Sequence, residues 1–212
     1  MKAFLHFYQK ERKLEKSKIL KYAVVTILIV FCYQYILIDP IALQLGVGGL
    51  DKGFSNSDNI DILSILVLAP ILEELISRGF LSGKREHFGF IFIQPIIGMV
   101  IFNEFWWVFI GIGLAFLLWV ILEQNKRPDD VYLSSPLFYA SFLFTTLFFT
   151  IMHIGNVESS SLALDWTFTF AGILPGAIFF GWIRYQVGLG YSMLAHAVFN
   201  FMTITLNEIL YL

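Results

Sequence analysis

The chain has few of the charges and cysteines that a soluble or secreted domain of its size carries. Only 14% of its 212 residues are Asp, Glu, Lys or Arg, whereas 58% are hydrophobic and the mean hydropathy is +0.74. A soluble domain of this length cannot hide so much apolar surface, so the composition argues against one and indicates a chain that folds in lipid. Cys32 is the one cysteine, which excludes an internal disulfide.

Several familiar signatures are also missing. The chain has neither Gly-x-Ser-x-Gly nor His-Glu-x-x-His, and it shows no internal repeat or low-complexity tract. A hydrophobic span, rather than a nucleic-acid module, follows the basic N-terminal residues. We therefore expect no nucleic-acid partner.

Long apolar runs are what the chain has instead. A spanning helix needs about 20 mainly apolar residues. The sequence predicts an all-α, polytopic transmembrane bundle of about seven spans, with six to eight as the range. The candidates are 19–38, 60–82, 88–102, 105–122, 136–156, 163–183 and 189–211.

The boundaries between these runs give a simple organisation. Residues 1–38 form a basic tail and a retained first anchor, and residues 60–211 form the core of what we treat as one domain. The stretch Asp39–Asn59, with GVGGLDKG at its centre, is predicted to be an external loop. The third run is short, so it either forms a tight hairpin with the fourth, turning at Asn103–Glu104, or is re-entrant.

Basic residues predict the orientation. Residues 1–21 hold seven Lys and Arg against two Glu, which is a topology signal, an attraction to anionic inner-leaflet lipid, or both. If the N-terminus is cytoplasmic and the spans alternate, most of the remaining basic residues also lie on the cytoplasmic side: Lys84, Arg85, Lys126, Arg127 and Arg184. We therefore predict an integral protein of a bacterial cytoplasmic membrane, with membrane lipid as one partner.

A Glu-Glu pair with an Arg lies inside the second run, as EELISR. An ionisable group in a bilayer costs at least about 2.5–3.5 kcal/mol on insertion scales, so it needs a reason. On a helix Glu74 and Arg78 share a face and can pair, whereas Glu73 is turned about 100° away. Glu73 is therefore a candidate general base, and the alternative is an ion-pair cluster that joins helices.

Two histidines lie in later runs. His153 stands in FFTIMHIGN, and His196 shares a helical face with Asn200 in HAVFN. Taken singly, each has a structural alternative, as a packing histidine or as a hydrogen-bonded clamp between helices. Taken together, a carboxylate base with His and Asn on three spans indicates a hydrolytic site, in which water attacks and the other groups hold an oxyanion.

Three weaker candidates, Glu104, Asp165 and Glu208, stand near predicted span ends, where interfacial water explains them.

In this order, EELISR, FTIMH and HAVFN resemble the motifs of the CPBP family of intramembrane proteases, which includes type II CAAX prenyl endopeptidases and bacterial Abi proteins. The resemblance runs from about Ile60 to Met202. It implies that Glu73 activates water with His153, and that His196 and Asn200 stabilise the oxyanion. It also implies supporting roles for a second set of residues, Glu74, Arg78 and Phe149.

The motif residues are compatible with two ways of activating water and with more than one class of function. Glu73, His153 and His196 could form a three-ligand zinc site, while the alternative is water activation without a tightly bound metal. The expected substrate is a membrane-associated peptide or protein. The rivals are a transporter and a bacteriocin-immunity or peptide-binding protein that does not cleave. Straight helices would place His153 about 10 Å farther out than Glu73, so they would have to tilt or break.

Overall fold

The computed structural model describes residues 15–48, 63–157 and 159–211, with side chains up to residue 206 in the last helix. Within these ranges the chain is mainly helical, and an isolated antiparallel bridge joins Lys84 and Tyr132. Eight α-helices are numbered in chain order: α1 Lys16–Cys32, α2 Asp39–Gln44, α3 Ala69–Arg78, α4 Ile93–Ile101, α5 Trp106–Lys126, α6 Ser135–Met152, α7 Leu162–Gln186 and α8 Leu189–Tyr211.

Five stretches of the described residues are long and apolar enough to cross a membrane: Leu20–Gln44, Asn103–Lys126, Ser135–Asn156, Leu162–Gln186 and Leu189–Leu206. Together with the shorter α3 and α4, they account for the predicted count of about seven. The predicted all-α transmembrane bundle is confirmed, and the chain is an integral membrane protein.

The first membrane helix is longer than the sequence predicted. α1 continues directly into a π-helical segment, Tyr33–Ile38, and then into α2. Pro40 stands in the first turn of α2, a position where its missing N–H is least costly. The predicted loop is therefore wrong over Asp39–Gln44, because the apolar helix carries on through it. Residues 49–62, which hold most of that predicted loop, lie outside the described residues.

The second predicted span is shorter than expected at its C-terminal end. A π-helical segment, Ser64–Leu68, leads into α3, which ends at Arg78 rather than at residue 82; residues 60–62 are not described. Arg184 of α7 donates to the carbonyl oxygens of Arg78 and Gly79, at 3.0 Å each. Carbonyls at a helix C-terminus have no partner within the helix, so this arginine caps α3.

The hairpin predicted within residues 88–122 is present. A 3₁₀ segment, Arg85–Phe92, leads into α4, and a second one, Asn103–Phe105, makes the turn into α5. At nine residues α4 is too short to span a bilayer alone. Its glycine at position 98 lets α5 approach closely, because a Cβ there would overlap the ring of Phe109.

The last three helices form the core of the bundle. α6 begins after Ser134, whose hydroxyl accepts the N–H of Leu137 at 3.3 Å. α7 turns sharply into α8 at Gly188, whose φ of +132° favours glycine. α8 packs against both α7 and α3, and α6 packs against α7 and α3. The helices that carry the three sequence motifs are therefore neighbours.

Candidate active site

The three sequence motifs meet at one point of the bundle. Oε2 of Glu73, on α3, lies 3.7 Å from Nε2 of His153 and 3.8 Å from Nε2 of His196. The side chain of Glu73 is 34% exposed and lines a cavity. The depth mismatch expected from straight helices is absent, because α6 stops at Met152 and a π-helical segment precedes α3.

His153 is held by the end of its own helix. Its Nδ1 lies 2.7 Å from the carbonyl oxygen of Phe149. A carbonyl oxygen only accepts hydrogen bonds, so we assign the hydrogen to Nδ1, and Nε2 of the neutral ring is then an acceptor that faces Glu73. The ring of Phe149 packs against the imidazole with a centroid separation of 4.4 Å.

Glu74 points the other way, into the packed interior, and its side chain is fully buried. The guanidinium of Arg78 donates to its Oε1 and the hydroxyl of Ser192 to its Oε2. Nδ1 of His196 lies 3.0 Å from Oε1 of Glu74. A carboxylate only accepts, so Nδ1 donates and Nε2 of His196 is turned towards Glu73. The pairing of Glu74 with Arg78 that the spacing predicted is present.

Aromatic rings enclose the buried guanidinium of Arg78. Its Cζ lies 4.5 Å from the ring centroid of Phe149 and 5.7 Å from that of Phe180, and its Nη2 donates to the carbonyl of Ala177 at 3.3 Å. Phe180 also stacks on His196, at 4.7 Å between centroids and 16° between planes. A buried charge needs such a complete shell, so the arginine and the histidine are both fixed in place.

Asn200 is anchored one helical turn beyond His196. Its Nδ2 donates to the carbonyl oxygen of Ile65, in the π-helical segment before α3, at 3.1 Å. An amide nitrogen carries two hydrogens, and this bond uses one of them. The amide also lines the cavity, so its second hydrogen can be offered to a bound molecule.

The cavity encloses about 250 Å³. Its wall includes Glu73, Phe149, His153, His196 and Asn200 from the predicted site, whereas Glu74 and Arg78 lie behind that wall. The other lining residues are Gln34, Tyr35, Ile65, Ala69, Asn156, Gly172, Ile173, Gly176, Ala177, Phe180, Phe199 and Thr203. The first membrane helix therefore contributes to a site from which sequence reasoning had left it out.

Ser192 is one of the polar residues that the sequence analysis did not single out. Its side chain is 0% exposed, and its hydroxyl donates to Glu74 and approaches the carbonyl oxygen of Phe180 at 2.8 Å. The signal that would have found it is its spacing, because it stands four residues before His196 on the same face of α8.

The weaker candidates do not join this site. Glu104 lies in the turn between α4 and α5, and Asp165 lies in the first turn of α7; neither lines the cavity. The side chain of Glu208 is outside the described residues. In the described part of the chain, no group of three or more His, Cys, Asp or Glu residues has an arrangement that could hold a metal ion.

Comparison with known protein families gives a match. Residues 55–202 match the family model described as Type II CAAX prenyl endopeptidase Rce1-like, and this range contains all three motifs. Neither the curated proteins nor the solved structures compared with the chain match it. Because the family match covers well over half of a membrane-spanning chain, the chain belongs to the Rce1-like family of type II CAAX prenyl endopeptidases, which are membrane proteases acting on peptide or protein substrates.

Proposed function

We propose that this protease hydrolyses a peptide bond of a membrane-associated peptide or protein with a water molecule activated by Glu73 and His153. The observation that carries the proposal is the meeting of Glu73 with Nε2 of both histidines at the wall of one cavity. The ionisable groups converge on this point, whereas a transport pathway would distribute them along the membrane normal.

The separation of Glu73 from His153 suits a bridging water. At 3.7 Å, Oε2 and Nε2 are too far apart for a direct hydrogen bond, and both are acceptors when the ring is neutral. A water molecule can donate one hydrogen to each, which turns a lone pair of its oxygen towards the cavity. That oxygen attacks the peptide carbonyl carbon, and Glu73 takes the proton.

His196 and Asn200 are proposed to stabilise the negative oxygen of the tetrahedral intermediate. When the ring of His196 is doubly protonated, its Nε2 donates a hydrogen bond to this oxygen. In that state the Nε2–H faces Glu73 and the Nδ1–H faces Glu74. The second amide hydrogen of Asn200 supplies another donor. Collapse of the intermediate breaks the C–N bond, and the proton held by Glu73 passes to the leaving amine.

Glu74, Arg78 and Phe149 are proposed to support the site, the first two from behind the cavity wall and Phe149 as part of it. Glu74 fixes the orientation of His196, and Arg78 compensates the buried charge of Glu74. Phe149 contacts both Arg78 and His153.

Zinc remains the alternative water activator, with Glu73, His153 and His196 as the candidate ligands. The residues described do not form a group suited to a metal ion, so the steps above use the protein's own groups alone. Chelation is therefore part of the test.

The proposed substrate class is broader than the CAAX prenyl proteins that the family's description names. Prenylated CAAX-like proteins, bacteriocins and membrane-bound regulatory peptides all present a peptide bond at the membrane. We place the protein in a bacterial cytoplasmic membrane with its N-terminus in the cytoplasm, because the basic residues favour that orientation.

The decisive experiment is proteolysis in reconstituted liposomes, with a panel of quenched membrane-associated peptides. We expect wild-type cleavage to survive a zinc chelator and to be lost in Glu73→Gln and His196→Ala. Loss on chelation, with recovery on adding zinc, would replace the metal-free mechanism. If wild type cleaves no peptide of the panel but binds one tightly, the chain is a binding protein of the immunity type and the proposal fails.

A further inference from the structure

A second groove lies between the first membrane helix and the α7–α8 pair. It encloses about 400 Å³ and runs from Ser17 and Tyr191 at one end to Ile27 and Val198 at the other. We call it the α1 groove. Within the described ranges it shares no lining residue with the active-site cavity. The proposed hydrolysis therefore does not use it.

The α1 groove is polar at one end only. Ser17 is the second residue of α1 and Tyr191 the third of α8, whereas the other described residues that line the groove are Ala, Val, Leu or Ile. The first membrane span begins at Leu20, so this polar end lies at the membrane boundary. Tyrosine is enriched at that depth, because its ring is apolar and its hydroxyl bonds to water or to lipid headgroups.

The length of the groove matches one leaflet of a bilayer. Ser17 and Ile27 both line it and stand ten residues apart on α1, which is roughly 15 Å at 1.5 Å per residue. The hydrocarbon core of a bilayer is about 30 Å thick, so each leaflet supplies roughly 15 Å of it. The groove therefore runs from the headgroup level to about the middle of the membrane.

An uncompensated cation stands at the polar end. Lys21 is exposed and follows Ser17 by four residues, so the two share a face of α1. Side chains on a helix tilt towards its N-terminus, which brings the ammonium of Lys21 back towards the membrane boundary. Lys18 is paired with Glu15 at 3.0 Å, whereas Lys21 has no ion-pair partner in the part of the chain that the structure describes.

We propose that the α1 groove binds an acyl chain of an anionic phospholipid, with the phosphate of its headgroup beside Lys21. A peptide in this groove would leave its N–H and C=O groups unbonded, since the described wall between the two ends is apolar. An acyl chain has no such groups. Attraction between a lysine and an anionic headgroup at the membrane surface contributes about 1 kcal/mol. The inference goes beyond the proposed hydrolysis and does not depend on it.

Native mass spectrometry of lipids retained by the full-length protein tests this site. The protein is reconstituted in vesicles of equal parts phosphatidylglycerol and phosphatidylcholine with the same acyl chains, and is then extracted in a mild detergent. Lys21→Gln is compared with Lys126→Gln, because Lys126 is also exposed but does not line the groove. Val24→Trp is compared with Val25→Trp. These valines are 50% and 45% exposed, and only Val24 lines the groove.

We expect wild type to retain a phosphatidylglycerol molecule in about fivefold preference to phosphatidylcholine, the ratio that corresponds to about 1 kcal/mol. Lys21→Gln should lose this preference, and Lys126→Gln should keep it. Val24→Trp fills the groove with a larger side chain and should lose the retained lipid, whereas Val25→Trp should keep it.

Equal retention by Val24→Trp and Val25→Trp would overturn the groove as the binding site. Equal retention of the two lipids by wild type would overturn the anionic headgroup, as would equal preferences in the two lysine variants. A dimer without bound lipid would assign the groove to a second copy of the chain and overturn the proposal. If Val24→Trp does not fold, the comparison of Lys21→Gln with Lys126→Gln decides.

Discussion

The two adjacent glutamates of α3 face opposite sides of the site. The cavity side is formed by Glu73, His153 and Asn200, which line the cavity. The carboxylate of Glu73 lies farther from the nearest histidine nitrogen than a hydrogen bond allows. The packed side, formed by Glu74, Arg78 and Ser192, is buried and directly bonded. One helical step separates them by about 100°. A glutamate is thus suited to catalysis at position 73, where its partners are distant, and to structural support at position 74, where hydrogen-bond donors surround its carboxylate.

Replacement of Glu73 should show the largest effect and separate activity from folding. Glu73→Gln keeps the shape of the side chain but removes the proton acceptor, so kcat should fall by about 10²- to 10⁴-fold. Among the described residues, the histidine nitrogens that face Glu73 lie 3.7 and 3.8 Å from its carboxylate, and its side chain is partly exposed, so the unfolding temperature in detergent should stay close to that of wild type. Initial rates in liposomes and a thermal unfolding curve measure the two quantities.

The informative control is the same change at the neighbouring position. Glu74→Gln should lower both the activity and the unfolding temperature, because it weakens the pairing with Arg78 and with His196. Glu73→Gln that unfolds as readily as Glu74→Gln would contradict the division between the two sides.

Breaking the packed side should chiefly destabilise the fold. Arg78→Met leaves the carboxylate of Glu74 buried without its cation, which costs about 3–5 kcal/mol in the free energy of unfolding. Activity should decline as the folded fraction declines. Chemical denaturation in mixed micelles measures the loss.

A double variant sharpens this prediction. Glu74→Gln combined with Arg78→Met removes both buried charges, so it should recover part of the stability lost in Arg78→Met alone. It should not recover activity, because His196 loses its charged partner. Additive losses of stability in the double variant would show that the two side chains are not coupled.

Much of this arrangement was accessible from the sequence because helical spacing is local. The apolar runs predicted the helices, and the four-residue spacing of Glu74 and Arg78 predicted their pairing, which the structure bears out. The order of EELISR, FTIMH and HAVFN predicted the family, which the family match confirms. The roles of Glu73, His153, His196 and Asn200 remain predictions, supported by their meeting at one cavity.

The misses share a physical cause, since they depend on tertiary packing. The π-helical segment Tyr33–Ile38 extends the first helix and turns Gln34 into the cavity wall, which no apolar count indicates. Arg184 had been counted as a cytoplasmic topology signal, yet its guanidinium caps the end of α3. Ser192 resembles an ordinary small residue of a membrane helix until its buried carboxylate partner is known.

Removal of the Ser192 hydroxyl tests how the packed side supports the cavity side. Ser192→Ala removes the hydrogen bond to one carboxylate oxygen of the buried Glu74. A hydrogen bond to a charged group contributes about 1.5–3 kcal/mol, so the free energy of unfolding should fall by that amount. His196 should then be held less firmly, so kcat should fall by about tenfold while KM changes little, and the pH profile of kcat should shift.

The control for this variant is Ser141→Ala. Ser141 is also fully buried, but its hydroxyl has no hydrogen-bond partner among the described residues. It should therefore keep wild-type stability, kcat and pH profile. A pH profile that stays unchanged in Ser192→Ala would mean that the serine packs α8 without positioning His196.

The smallest effects are expected from a matched pair of glycines on α7, which faces both sides. A Cβ on Gly181 would lie 2.5 Å from Cε2 of Phe142, so Gly181→Ala forces α6 and α7 to adjust and should cost about 1–3 kcal/mol of stability.

A Cβ on Gly176, which lines the cavity, meets only Phe180 at an ordinary 3.8 Å. Gly176→Ala should therefore keep or slightly raise the unfolding temperature, because alanine favours helix by up to about 1 kcal/mol. Its methyl group narrows the cavity, so KM should rise for peptides with bulky side chains near the cleaved bond and stay unchanged for small ones. Unfolding curves and KM values for such a peptide pair would measure both variants, and a KM change in Gly181→Ala that matched that of Gly176→Ala would erase the distinction between the two sides.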